Sequence, residues 1–171
     1  KREYRAMKEI LVIVPKKTTG GRKILNTVWF ILACLMFIGA TFLSPIIFFV
    51  PAIGFAVLWY FQSFRMDTEW EYTYYDGDLN FARIRAKSRR KSIARIQMDD
   101  VLAVAPRGDR SIYKYENDSS VSYKNLTSGN PEAKIYALIC KGDKGIIRYE
   151  FEPDEDMLDA MSVKYARIVT K

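Results

Sequence analysis

The chain has 171 residues, 49% of them hydrophobic, with 27 basic and 20 acidic side chains and no histidine. Without histidine there is no Ser-His-Asp or Cys-His catalysis, no histidine-ligated zinc and no imidazole pH switch. Two cysteines, Cys34 and Cys140, are too few for a four-cysteine zinc site or a disulfide framework.

The formal net charge of +7 is unevenly placed. Residues 1–23 form a basic arm with eight cations (Lys1, Arg2, Arg5, Lys8, Lys16, Lys17, Arg22, Lys23) and two acids (Glu3, Glu9). Within it, residues 10–14 (ILVIV) are a short apolar run, fit either to add an edge strand to a later domain or to lie at a membrane interface. Residues 65–171 carry 19 basic and 18 acidic groups, so they contribute only +1. A basic nucleic-acid-binding globule is not built this way.

Between these parts, residues 24–64 hold 41 positions without a charged side chain. A bilayer core about 30 Å thick takes roughly 20 helical residues to cross. The run divides at Ser44-Pro45 into 24–43 and 46–64, which predicts a transmembrane helical hairpin. Proline cannot continue the first helix but fits the first turn of the second. Pro51 falls early in the second span, and Trp29, Trp59 and Tyr60 sit where an interfacial aromatic belt belongs. A soluble core does not need so long an uncharged run, and a signal peptide would not be followed at once by a second span. Lys16, Lys17, Arg22 and Lys23 precede the hairpin and Arg65 follows it, so the positive-inside rule predicts a two-span cell-membrane protein with both termini cytoplasmic. Cys140 is then expected to be reduced, and the triplets at Asn117 and Asn125 are chance matches to a glycosylation signal.

Residues 65–171 read as a cytoplasmic, mainly-β domain. Residues 68–75 (TEWEYTYY) put Trp70, Tyr72 and Tyr74 on one face, and Asp76-Gly77 is a hairpin turn leading to a return strand over 79–86. Further strands are predicted at 90–97, 101–105, 121–126, 134–141 and 145–151, the last two forming a second hairpin. Residues 154–162 open with acids and space Met157, Leu158 and Met161 as a helix does; 163–171 are ambiguous. About seven strands followed by one helix is the element order of a PH-like barrel, with a small sandwich as the other arrangement.

At this point the chain also resembles a known family. The basic arm and two-helix hairpin lead into EYTYYDGDLNFARIRAKSRRKS (71–92), followed by LTSG (126–129) and FEPDEDMLDAM (151–161). This is similar to an uncharacterised family of small membrane proteins of Gram-positive bacteria, with a transmembrane hairpin and a PH-like domain. The resemblance covers nearly the whole chain. It implies architecture, and it transfers no functional residue.

One constellation stands out. Arg83, Arg85, Lys87, Arg89, Arg90, Lys91 and Arg95 lie within thirteen positions that hold no acid, on a hairpin with its tip near 86–89. Residues 150–159 hold six acids (Glu150, Glu152, Asp154, Glu155, Asp156, Asp159) and no base. Cations held near the negative cytoplasmic leaflet are worth about 1 kcal/mol each. The hairpin therefore reads as a binding surface for anionic lipid headgroups or a partner protein. The plainer readings are a solvated edge, or pairing with the acidic run of its own or a neighbouring chain. The Ser/Asn/Gly-rich stretch 106–131, with Tyr113, Tyr115 and Tyr123, is either a recognition loop or a mobile one.

Nothing in the pattern calls for catalysis, a metal or a cofactor. Thr19–Lys23 lacks P-loop spacing, Asp99-Asp100 suits a turn or cap, Cys140 reads as core, and Cys34 lies within a span. Two functions follow from different classes. One is a membrane-anchored, non-enzymatic binding module acting through the basic hairpin. The other is an accessory subunit of a larger membrane complex or homo-oligomer, packing through the helical hairpin, where Gly39, Ala40, Thr41, Gly54 and Ala56 are small. Nucleic acid is disfavoured by the near-neutral domain charge.

Overall fold

The computed structural model describes residues 9–143 and 145–171. Lys1, Arg2, Glu3, Arg5 and Lys8 of the basic arm lie outside them. The chain divides into two compact units: one takes the chain up to Lys16 together with Glu69–Ile84 and Arg89–Lys171, and the other takes Lys17–Thr68 with Arg85–Ser88.

The helical unit contains α1 (Gly20–Phe42) and α2 (Pro45–Met66), 23 and 22 residues long with mean hydropathies of 2.0 and 1.8. At 1.5 Å per residue each is about 33 Å long, enough to cross a bilayer core. Pro45 takes the first helical position after the break at Ser44, as the sequence suggests. Helix α1 starts four residues earlier than the uncharged run, because Gly20 to Lys23 continue its backbone hydrogen bonding from Thr19 O. The two helices pack on each other through Trp29 against Phe55 (5.7 Å between ring centroids) and Phe30 against Trp59 (5.4 Å). Gly39 and Ala40 are buried here, and a side chain at Gly39 would meet the Phe48 ring at 3.0 Å. The Asn26 amide and Ser63 hydroxyl, 2.9 Å apart, tie the other end. The outward faces are almost entirely large and apolar, Leu35, Phe37, Ile46, Ile47 and Phe61 among them.

The β unit is two four-stranded sheets closed by a helix. Strand β1 (Ile10–Pro15) pairs antiparallel with β2 (Thr68–Tyr75), which is followed by β3 (Asp78–Arg85) and β4 (Arg89–Gln97), giving the order β1-β2-β3-β4. The apolar run of the arm is thus an edge strand. A 3-10 turn (Met98–Asp100) leads to β5 (Val101–Pro106), a four-residue helix α3 (Tyr113–Glu116), β6 (Ser122–Asn125), β7 (Tyr136–Gly142) and β8 (Gly145–Phe151), with the order β5-β7-β8-β6. Strand β6 runs parallel to β8, while β7 is antiparallel to β5 and β8. The described residues therefore hold eight strands, one more than the sequence suggests, because β1 precedes the helical hairpin in the chain.

The inner faces meet in an aromatic core. Tyr72, Phe81, Tyr149 and Phe151 have ring centroids 5.4–5.7 Å apart, an arrangement that adds quadrupole attraction to area burial. Helix α4 (Glu155–Tyr165) adds Met157, Leu158 and Met161 to this core. Asp154, the first residue of the predicted acidic start, caps it, its carboxylate accepting from Met157 N at 2.8 Å. Beyond α4 the tail is ordered: Val104 N donates to Ile168 O and Thr170 N to Val104 O, so the tail covers part of the β5 edge.

The LTSG segment is held by core side chains. Tyr72 Oη donates to Leu126 O (2.6 Å) and Trp70 Nε1 to Thr127 O (2.9 Å), while Ser128 N and Oγ donate to Glu152. Stretch 106–131 is a cover and not a free loop. Ile112 is fully buried and Tyr115 half-buried against Ala105, Ala137 and Ile139 on the outer face of the second sheet.

Candidate functional site

The basic constellation occupies strands β3 and β4 and the turn between them. Lys87, Arg89, Arg90, Lys91 and Arg95 are exposed, and Arg83 and Arg85 are half-buried. Alternation along β3 from Leu79 and Phe81, both core residues, puts Arg83 and Arg85 on the inward-facing side as the strand ends. Each of these two arginines has a buried Nε without a hydrogen-bond partner.

Arg90 and Arg95 are spent on neighbours within the sheet. Arg90 pairs with Glu71, a carboxylate only 6% exposed on β2. Arg95 bonds Asp78 at 2.6 Å, and that hydrogen bond and charge raise its pKa further. The Arg95–Asp78 pair lines a depression of about 280 Å³ with Glu9, Thr73, Tyr75 and Asn80, so Arg95 there faces two carboxylates. The cations available to an outside anion are thereby narrowed, with Lys87 and Lys91 exposed and without an acidic partner among the described residues.

The turn between β3 and β4 is backbone-strained. Ala86 and Lys87 have φ of +48° and +54°, a left-handed pair that costs about 1–2 kcal/mol per non-glycine residue. Ala86 N donates to Asp67 O at 2.8 Å, one residue past the end of α2. A connection that the sequence does not reveal therefore pins the tip of the basic hairpin to the exit of the second apolar helix.

The acidic run over 150–159 does not face the basic hairpin as a block. Glu150 is 1% exposed; it accepts from Tyr123 Oη (2.8 Å) and lies 3.3 and 3.7 Å from Arg148 and Arg107. Burial, followed by the Glu150 hydrogen bond and charge, raises the Tyr123 phenol above its ordinary range. Glu152 holds Ser128, Asp154 caps α4 and Asp159 pairs with Lys171. Within the hairpin, Arg90 and Arg95 pair with Glu71 and Asp78, set by cross-strand register, and not with these acids. Asp99 accepts from Tyr165 Oη at 2.9 Å, a turn role, and Cys140 is 3% exposed in the core.

Two packed sheets with a C-terminal helix against their core, carried with two apolar helices long enough to cross a membrane, define a PH-like protein with a candidate membrane hairpin. Residues 9–171 match the model of the family described as "Bacterial PH-like domain (DUF6106)", and the chain belongs to that family. Comparison with curated proteins and with solved structures gave no match.

Proposed function

We propose that this protein is a membrane-anchored, non-enzymatic PH-like binding module whose β3–β4 hairpin rests on anionic lipid headgroups. The observation that carries the reading is the Ala86–Asp67 hydrogen bond, which holds the tip of a basic hairpin at the end of an apolar helix. Lys87 and Lys91 then present charge that no carboxylate of the hairpin neutralises. The β1–β2 pairing supports a two-span topology, because both flanks of the helical hairpin belong to one sheet and so lie on one side of the bilayer. The basic flanks favour the cytoplasmic side.

The full chain is the right material for the test, since a fragment starting at residue 66 lacks β1. With Ser92→Cys carrying a fluorophore, in vesicles containing headgroup-quencher lipid, quenching is expected to rise as phosphatidylglycerol replaces phosphatidylcholine. Quenching that ignores lipid charge would refute the headgroup reading and leave a partner protein as the hairpin's ligand.

The accessory-subunit reading now rests on fewer residues. Gly39 and Ala40 are used within the α1–α2 contact, whereas Gly54 has open space around it on the outer face of α2. A stoichiometric hetero-complex in native mass measurement of the mildly extracted protein would favour that reading, and a lone monomer would oppose it.

A further inference from the structure

We propose that the helical unit holds its own anionic phospholipid, bound at a collar of six cations around the helix ends. This rests on the helical hairpin spanning a membrane, but not on headgroup contact by strand β4. The collar is formed by Lys17, Arg22, Lys23, Arg65, Arg85 and Lys87, all within one compact unit. Four of them lie outside the basic run that the sequence singles out. Five are exposed, Arg85 is half-buried, and none has an acidic partner among the described residues.

Hydrogen bonds to backbone carbonyls bring these three chain segments together. Thr18 Oγ1 donates to Met66 O (3.4 Å), Gln62 Nε2 to Arg22 O (3.2 Å) and Ala86 N to Asp67 O (2.8 Å). Lys17, Arg22, Arg65, Arg85 and Lys87 are each the bonded residue itself or its immediate neighbour in one of these contacts. Asp67 is the one carboxylate in the unit, against six cations.

Two features show that this concentration of charge is not relieved internally. The first turn of α1 holds Arg22 and Lys23 and no acid, so the positive end of the helix dipole meets like charge. The Arg85 Nε is buried without a partner. A phosphate oxyanion supplies what both lack. Its source is a lipid because the collar sits at the ends of two helices whose outward faces are apolar, where acyl chains can run alongside.

The test is native mass spectrometry of the full chain released from nanodiscs of phosphatidylcholine and phosphatidylglycerol. Wild type is expected to retain phosphatidylglycerol. The variant K17A/R65A, which leaves the basic hairpin intact, is expected to retain it about 30-fold less, from about five-fold per cation held near an anionic surface. The control K141A/R167A, exposed cations of the β unit, is expected to match wild type. Equal losses in both variants would overturn the collar as the site. Retention of inorganic phosphate by lipid-free protein as tightly as of phosphatidylglycerol would overturn the lipid assignment. Fluorophore quenching at Ser92 is scored separately, so flat quenching with a K17A/R65A loss rejects the hairpin reading and keeps the collar.

Discussion

Replacing Gly77 with alanine tests how the β2–β3 turn is locked to the C-terminal helix. Gly77 has φ of +93°, and a Cβ there would lie 2.7 Å from Tyr165 Oη but 3.5 Å from the nearest ring carbons. Two costs follow. The backbone conformation costs an L side chain about 1–2 kcal/mol. The displaced phenol also gives up its 2.9 Å hydrogen bond to Asp99, worth about 0.5–1.5 kcal/mol. Gly77→Ala is therefore expected to lower stability by about 2–3 kcal/mol. Tyr165→Phe removes the clashing oxygen and leaves ordinary ring contacts, so the same alanine in that background should cost only its backbone share. The two changes are thus coupled by about 1 kcal/mol. Urea unfolding of the full chain in micelles, followed by Trp70 fluorescence with Trp29 and Trp59 replaced by phenylalanine, measures the cycle. An alanine that costs the same in both backgrounds would refute the steric argument.

Three further outcomes are expected. Burial, aided by the charge of Asp100, pushes the Cys140 thiol up to about 11 from an ordinary value of 9.0. The folded state thus favours the protonated thiol, and the associated stability is intact below pH 9 and lost as pH rises towards 11. Over that window the urea midpoint should fall by the equivalent of roughly 2–3 kcal/mol, and Cys140→Ala should flatten the slope; an equally steep fall in that variant would exclude the thiol as its source. Glu150→Gln leaves the 15%-exposed Arg148 without a counter-charge, and a cost of about 2–4 kcal/mol in thermal or urea unfolding is expected. Recovery of part of that loss in Glu150→Gln/Arg148→Gln would identify the stranded charge as its cause. Ala86→Gly relieves a left-handed residue and should stabilise by about 0.5–1 kcal/mol, whereas destabilisation in the same assay would show that the alanine methyl is needed at the tip.

How much of this was legible in the sequence depended on how local each signal was. The apolar helical hairpin announced itself through an uncharged run, and the two β-hairpins through Asp76-Gly77 and Gly142-Asp143, because each signal lies within a few residues of the element it forms. The strands expected at 90–97 and 145–151 followed for the same reason, and are found at Arg89–Gln97 and Gly145–Phe151. The pairing of Ile10–Pro15 with β2 joins residues about sixty positions apart, and a five-residue apolar run beside a membrane span has two physically sound uses. The site was legible in composition and not in valence. Seven cations could be counted, but the loss of Arg90 to Glu71 and Arg95 to Asp78 depends on which residues stand side by side across strands. The cover that Ile112 and Tyr115 form was not legible in stretch 106–131, because these anchors are spaced among polar residues with no periodicity to read.

The β1–β2 pairing encloses the whole helical hairpin between two adjacent strands of one sheet. Seen from the β-domain, the helices are a loop of 52 residues, from Lys16 to Asp67, inserted at a strand connection. A single proteolytic nick at either end of that loop leaves the domain fastened by the other, so shedding it requires two cuts. Synthesis is ordered by the same arrangement: β1 emerges first yet stays unpaired until both helices have been made and β2 follows. Packing of α1 on α2, by bringing the two ends of the loop side by side, is then itself a step in folding the domain.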